Sequence, residues 1–235
     1  MNETNNGGAG QMARITSEDG FTFEAFHASP QGESKGGLII LQEIFGATDQ
    51  LKSVARSWAD DGFDAIVPAL FDRNAPGTVV PFDEPDRGRE IALGLDPAKV
   101  QLDVAAAVKY LAGLSDGGKG VSVIGFCWGG GQAFRLACSL ELTSAVSFYG
   151  TAMKIHMEKN PGGPKCPMLF HIGETDDHTP PEIIEAIRQA VPTGEFHTYD
   201  AGHAFANDAR PTYVDAAAVP ARQRTLEFLN KHHGA

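Results

Sequence analysis

Cys127, Asp176 and His203 follow one another in the order nucleophile, acid, base, each shortly after a strand-like run. Such a trio can carry out acyl transfer: a sulfur attacks a carbonyl, an imidazole moves the proton, and a carboxylate fixes the imidazole's tautomer. Cys127 sits in Gly125-Phe-Cys127-Trp-Gly, between the apolar run at residues 121–125 (VSVIG) and a helical pattern at residues 128–140. This is the nucleophile-elbow pattern with cysteine where serine is more common. Gly125 and Gly129 lack the Cβ atoms that would hold strand and helix apart. The start of the helix aims backbone N–H groups at the thiol, which should favour thiolate and hold an oxyanion, with the Trp128 N–H as first donor. Cys138 and Cys166 read as structural, one on the apolar side of the helix and one before Pro167.

Asp176 lies in Gly173-Glu-Thr-Asp176-Asp177-His178, after the apolar run 167–172, and Asp177 is a rival for the acid role. His203 lies in Asp200-Ala-Gly202-His203-Ala-Phe205, after a strand pattern at 195–199. Open α/β sheets place their sites at such strand ends. His171 and His178 share this edge, but with His203 and an aspartate they match no metal-ligand spacing. No metal and no organic cofactor is expected.

These residues need a scaffold, and the periodicity supplies one. Residues 12–16 and 21–27 flank a Glu18-Asp19-Gly20 turn and read as a hairpin. Residues 37–41 (GLIIL) and 63–68 read as buried strands, and residues 49–61 as an amphipathic helix. A Pro/Gly/Asp-rich stretch, 69–97, has room for a short helix at 87–94, and loops of that length are usually functional or mobile. Further helices are expected at 98–114, 181–190 and 211–231, and a strand at 143–149. The alternation predicts a three-layer α/β fold: a mostly parallel, doubly wound sheet of about seven or eight strands with helices on both faces.

The 235 residues, 42% of them hydrophobic, are expected to form one domain over residues 12–235 behind a disordered polar leader, residues 1–11. A net charge of -11 argues against nucleic acid and anionic membranes as partners, so any anionic substrate needs a locally placed arginine. Three cysteines without paired spacing suit a reducing compartment, and a cytoplasmic enzyme is expected. Monomer and small homo-oligomer both remain open.

Taken together, Gln42-Glu43-Ile44-Phe45-Gly46, Arg73-Asn-Ala-Pro-Gly-Thr78, Gly125-Phe-Cys127-Trp-Gly-Gly, Phe148-Tyr149-Gly150, the Asp176 loop and Gly202-His203-Ala-Phe205 resemble the dienelactone hydrolase family of α/β-hydrolases, from about residue 37 to the C-terminal helix. The resemblance implies hydrolysis of an enol lactone or activated ester, anionic or neutral, through a cysteine thioester. The alternatives are a general small-ester carboxylesterase using the same triad and a non-catalytic or redox-sensing protein on this fold. It implies that Glu43 helps to ionise the thiol, that Ile44 gives a second oxyanion N–H, that Arg73 binds a substrate carboxylate, and that Tyr149 and Phe45 line the pocket. One segment departs from the pattern. Well-known members read Ser-Phe-Ala-Arg after the histidine, whereas this chain reads Ala204-Phe205-Ala206-Asn207, with Arg210 three residues on as a substitute for the second arginine.

Overall fold

Strand β3 (Gly37–Leu41) is apolar throughout and buried throughout, which sets it in the middle of a sheet. The computed structural model describes residues 10–114 and 119–234, and in it eight strands form one sheet in the order β1-β2-β4-β3-β5-β6-β7-β8. β1 (Gln11–Thr16) and β2 (Thr22–Ala28) make the expected antiparallel hairpin, and β2 also runs antiparallel to β4 (Asp64–Pro68). From β4 across β3, β5 (Val121–Phe126), β6 (Ala145–Phe148), β7 (Met168–Gly173) and β8 (Glu195–Tyr199) every pairing is parallel. Helices α1 (Asp49–Asp60), α2 (Pro85–Gly94), α3 (Pro97–Ala112), α4 (Trp128–Ala137), α5 (Met153–Lys159), α6 (Pro181–Ala190) and α7 (Asp215–His233) complete a three-layer α/β arrangement. Among the described residues no helix is long and apolar enough to cross a membrane.

The register aligns the chemistry. Leu41 pairs with Gly125, Phe126 with Phe148, Phe148 with His171, and Gly173 with Tyr199. The C-terminal ends of β3, β5, β6, β7 and β8 therefore share one edge. The residues just beyond them are Glu43, Cys127, Tyr149, Asp176 and His203. Leu38, Ile39, Ile40 and Leu41 are fully buried, and each such side chain contributes roughly 1.5–3 kcal/mol of burial energy. Helix α1 closes over this core because Leu51, Ala55, Trp58 and Ala59 share a face, and the Thr48 hydroxyl caps it by accepting from the Leu51 N–H (3.2 Å).

Three differences from the sequence reading have physical causes. Gln11, expected to belong to the leader, pairs with His27 in β1; the rest of that leader, apart from Gly10, lies outside the described residues. Helix α5 escaped notice because only Met153 on it is buried, which leaves no apolar stripe to read. Helix α7 begins at Asp215 rather than at residue 211, because the Val214 N–H is taken by the Phe205 carbonyl (3.0 Å) in a turn-rich segment after His203.

Candidate active site

Cys127 occupies the turn between β5 and α4 with φ 54° and ψ -117°, a conformation that costs a non-glycine residue about 1–3 kcal/mol. The surroundings hold it there. Its N–H donates to the Phe148 carbonyl (3.0 Å), and its own carbonyl accepts from Gly130 (2.9 Å), Gly131 (3.2 Å) and Thr151 (3.1 Å). A Cβ on Gly125 would lie 1.9 Å from the Gly129 carbonyl oxygen, so only glycine lets α4 start so close to the strand. Trp128 opens α4, and its N–H, which no intrahelical carbonyl can take, stabilises a thiolate at Cys127.

His203 follows β8 and donates through Nδ1 to Asp176 Oδ2 (2.8 Å). A carboxylate can only accept, so Nδ1 carries the proton and Nε2 presents its lone pair. Nε2 is buried and has no hydrogen-bond partner among the described residues, the thiol included. Asp176 Oδ1 accepts from the His178 N–H (2.9 Å), which fixes the carboxylate from its other side. The buried Asp176, not the exposed Asp177, thus meets the imidazole. Tyr149, at φ 38°, packs its ring edge-on to His203 with centroids 5.2 Å apart, and the His178 ring lies 4.5 Å away on centroids.

Glu43 is buried beside this pair. Its Oε2 accepts from Asn207 Nδ2 (2.9 Å) and lies 3.7 Å from Arg210 Nη1. Its Oε1 and the Tyr149 hydroxyl are buried neighbours that do not align into a hydrogen bond. Burial raises the Glu43 carboxyl above its ordinary range, against the pull of Arg210 and Asn207. Burial also pushes the Cys127 thiol well above its ordinary value; Glu43 pushes the same way, and the Trp128 N–H and Arg210 oppose both. The Trp128 N–H favours thiolate, as expected of the helix end, but burial and the neighbouring Glu43 carboxylate outweigh it, so ionisation of Cys127 is disfavoured in the resting site.

Arg73 is not brought to the thiol. Its Nε and Nη2 donate to Asp103 Oδ2 (2.9 Å) and Oδ1 (2.6 Å), and Nη1 and Nη2 donate to Asp19 Oδ2 (2.7 Å) and Oδ1 (3.1 Å). Its guanidinium also covers the Phe21 ring at 4.0 Å. Two carboxylates of the chain itself occupy its bidentate geometry, so the expected substrate contact is corrected to an internal tie between the β1–β2 turn and α3. The cation that does stand at the site is Arg210, partly exposed and 5.3 Å from the centre of the Phe45 ring. Phe45 itself is buried edge-on against Phe82, and Ile44 is half-buried in the segment after β3. The sequence reading gave no role to Asn207, nor to the His178 ring. The first was legible only as a departure from the family pattern. The second had no signal, because its contact depends on how two loops meet.

A model of the dienelactone hydrolase family matches residues 23–233. Carboxymethylenebutenolidase of Pseudomonas putida is 34% identical over 222 residues, 92% of this chain and 94% of that one. A carboxymethylenebutenolidase of Cupriavidus pinatubonensis is 30% identical over the same share of both chains. A crystal structure described as a candidate dienelactone hydrolase of Klebsiella pneumoniae superposes with a TM-score of 0.82 at 26% identity, covering 95% of this chain and 99% of that one. The Pyrococcus furiosus esterase Pf2001, at 17% identity and a TM-score of 0.70 over 98% of this chain and 96% of its own, shares the fold. With a strained elbow cysteine, a tied acid–base pair and a family match over nearly all of its length, the chain belongs to the dienelactone hydrolase family and is a hydrolase of ester and lactone bonds.

Proposed function

We propose that the chain opens enol lactones and activated esters by way of a thioester on Cys127. The observation that carries this is the Asp176-tied imidazole, whose only free nitrogen is buried at the same sheet edge as the elbow thiol. As Sγ attacks the carbonyl, its proton passes to His203 Nε2, and the carbonyl oxygen takes up charge between the Trp128 and Ile44 N–H groups. The C–O bond to the leaving group then breaks, and the enolate or alkoxide recovers the proton from the imidazolium. Water next attacks the thioester with His203 as base, which frees the acid and restores the thiol. Glu43 lies within electrostatic reach of the sulfur and its charge opposes the thiolate at rest, so in this reading it assists ionisation only by relaying the thiol proton towards His203 Nε2 once substrate is bound. Nothing in this cycle requires a cofactor. Three free cysteines favour a reducing compartment, the cytoplasm, and the single sheet, which starts at Gln11 rather than at residue 12, fits one domain.

Rapid acid quenching during turnover of p-nitrophenyl acetate, followed by peptide mapping, tests the intermediate directly. An acetyl group on the peptide carrying Cys127 is expected. Acetylation confined to Cys138 or Cys166, or to a serine, would remove Cys127 from the mechanism.

Substrate charge is read by Arg210 in this proposal. Its guanidinium touches Glu43 only at ion-pair distance and makes no hydrogen bond among the described residues, whereas four of the five Arg73 N–H groups are taken by Asp19 and Asp103. Arg210→Ala should lower kcat/KM for a carboxylate-bearing lactone about 10- to 100-fold more than for a neutral ester, the value of one charge-assisted contact. Arg73→Ala should instead leave that ratio untouched while costing about 3–5 kcal/mol of stability, because Asp103 is left buried without its cation. Equal losses on both substrates in Arg210→Ala would assign the neutral-ester reading, which Asn207 in place of a second arginine already favours.

A further inference from the structure

The chain between residues 69 and 97 does more than cross over the site. Val80 donates its N–H to the Phe45 carbonyl (2.9 Å), and Val79 forms an isolated antiparallel bridge with Gly46. A few residues later α2 comes down on the same segment. A Cβ built on Gly88 would lie 2.0 Å from the Ile44 carbonyl oxygen and 3.1 Å from its carbonyl carbon. Residues 44–46 are therefore held by a strand-like bridge on one side and by the helix backbone on the other. The Ile44 N–H has no hydrogen-bond partner among the described residues, and its own peptide plane is held locally through the Glu43 carbonyl, which accepts from Gln42 Nε2 at 3.4 Å. The Ile44 carbonyl belongs to the next peptide plane, so the Gly88 contact reaches the Ile44 N–H by fixing the path of the backbone at Ile44.

We infer that α2, through the bare backbone of Gly88, is a clamp that sets the Ile44 peptide as an oxyanion donor, which makes Gly88 a positioning residue for the hydrolysis. The inference rests on the thioester reading above. It explains why a helix whose sequence is largely polar, with Leu93 exposed, is retained over the site: what it contributes is an approach distance that any side chain at position 88 would prevent. Other contacts of α2 are compatible with this. Ala92 is buried and Ile91 packs on the main core, so the helix is anchored on the face that carries Gly88.

The test compares Gly88→Ala with Gly94→Ala in the same helix. Around Gly94 there is nothing for a Cβ to meet. Gly88 is buried inside the helix and Gly94 is its exposed last residue, so Gly94→Ala adds a methyl to α2 without any contact with Ile44. Three readouts are taken on the full chain: kcat/KM on p-nitrophenyl acetate, the inhibition constant of a small aldehyde, and the rate of Cys127 alkylation by iodoacetamide. The aldehyde adds to the sulfur; an S–C bond forms, the C=O double bond opens, and the thiol proton ends on the new oxygen, which occupies the oxyanion position. Alkylation places no charge there. Gly88→Ala should lower kcat/KM and aldehyde affinity together, by about 100-fold for a donor displaced on the order of an ångström, with alkylation unchanged. Gly94→Ala should match the parent in all three. Should Gly88→Ala fail to fold, Ile91→Ala loosens the same anchorage without a clash and should give the same pattern at about tenfold.

Unchanged hydrolysis in folded Gly88→Ala, or alkylation falling as far as hydrolysis, overturns the clamp. Full activity in Cys127→Ala would instead overturn the thioester reading, and the two failures cannot be confused.

Discussion

Cys127→Ala should lower kcat/KM on p-nitrophenyl esters by at least about 10,000-fold, the scale seen when a covalent nucleophile is deleted and only binding and the oxyanion donors remain. The methyl side chain fits the same elbow, since the strained backbone is held by Phe148, Thr151 and the glycine N–H groups rather than by the sulfur. Fold and stability should therefore survive, and circular dichroism with thermal melting checks that. Cys127→Ser is the sharper comparison. A hydroxyl ionises far less readily than a thiol, and in a pocket that already raises the thiol by burial the penalty grows. The serine variant should fall between parent and alanine, nearer to alanine. Serine activity equal to the parent would mean that the site activates an oxygen as well as a sulfur, and the role of the thiol would need to be redrawn.

Asp176→Asn should cost a further large factor, about 10,000-fold in kcat at neutral pH. The carboxylate accepts on both oxygens, from His203 Nδ1 and from the His178 N–H. An amide keeps one acceptor and turns the other position into a donor. If its oxygen stays with the His178 N–H, the NH2 faces Nδ1, and the imidazole must move its proton to Nε2. The nitrogen that should take the thiol proton is then already protonated. KM should change little, because Asp176 has no exposed surface to offer a ligand. A kcat loss of less than tenfold, measured on a folded variant, would show that the base is oriented by something other than this carboxylate.

Most of the scaffold could be read from periodicity. The GLIIL strand, the hairpin around Asp19-Gly20 and the helix carrying Leu51, Ala55 and Trp58 announce themselves by period and by flanking turns, which are local properties. The elbow was legible for the same reason: strand, turn and helix are consecutive. Asp176 and His203 could be placed on one edge because chain order and strand ends fix such positions in this fold class, and the structure joins the two by a hydrogen bond. What could not be read depends on contacts between distant segments. Arg73 sits in a family-like motif, yet its partners are Asp19 and Asp103, which no periodicity links to it. The pairing of Glu43 with Asn207 and Arg210 is likewise set by where the turn after His203 comes to rest. The ionisation state of the thiol was the hardest to read. The helix end is visible in sequence, but the depth of burial that overrides it is a property of the assembled site.

The raised thiol also bears on how the protein withstands damage. Peroxides and stray electrophiles consume thiolates, not thiols, and so the ladder from sulfenic to sulfonic acid starts only once a proton has left. A sulfur whose thiolate is disfavoured by burial is a slower target between turnovers. The protein should therefore keep its activity through hydrogen peroxide exposures that inactivate enzymes whose catalytic cysteine is ionised at rest.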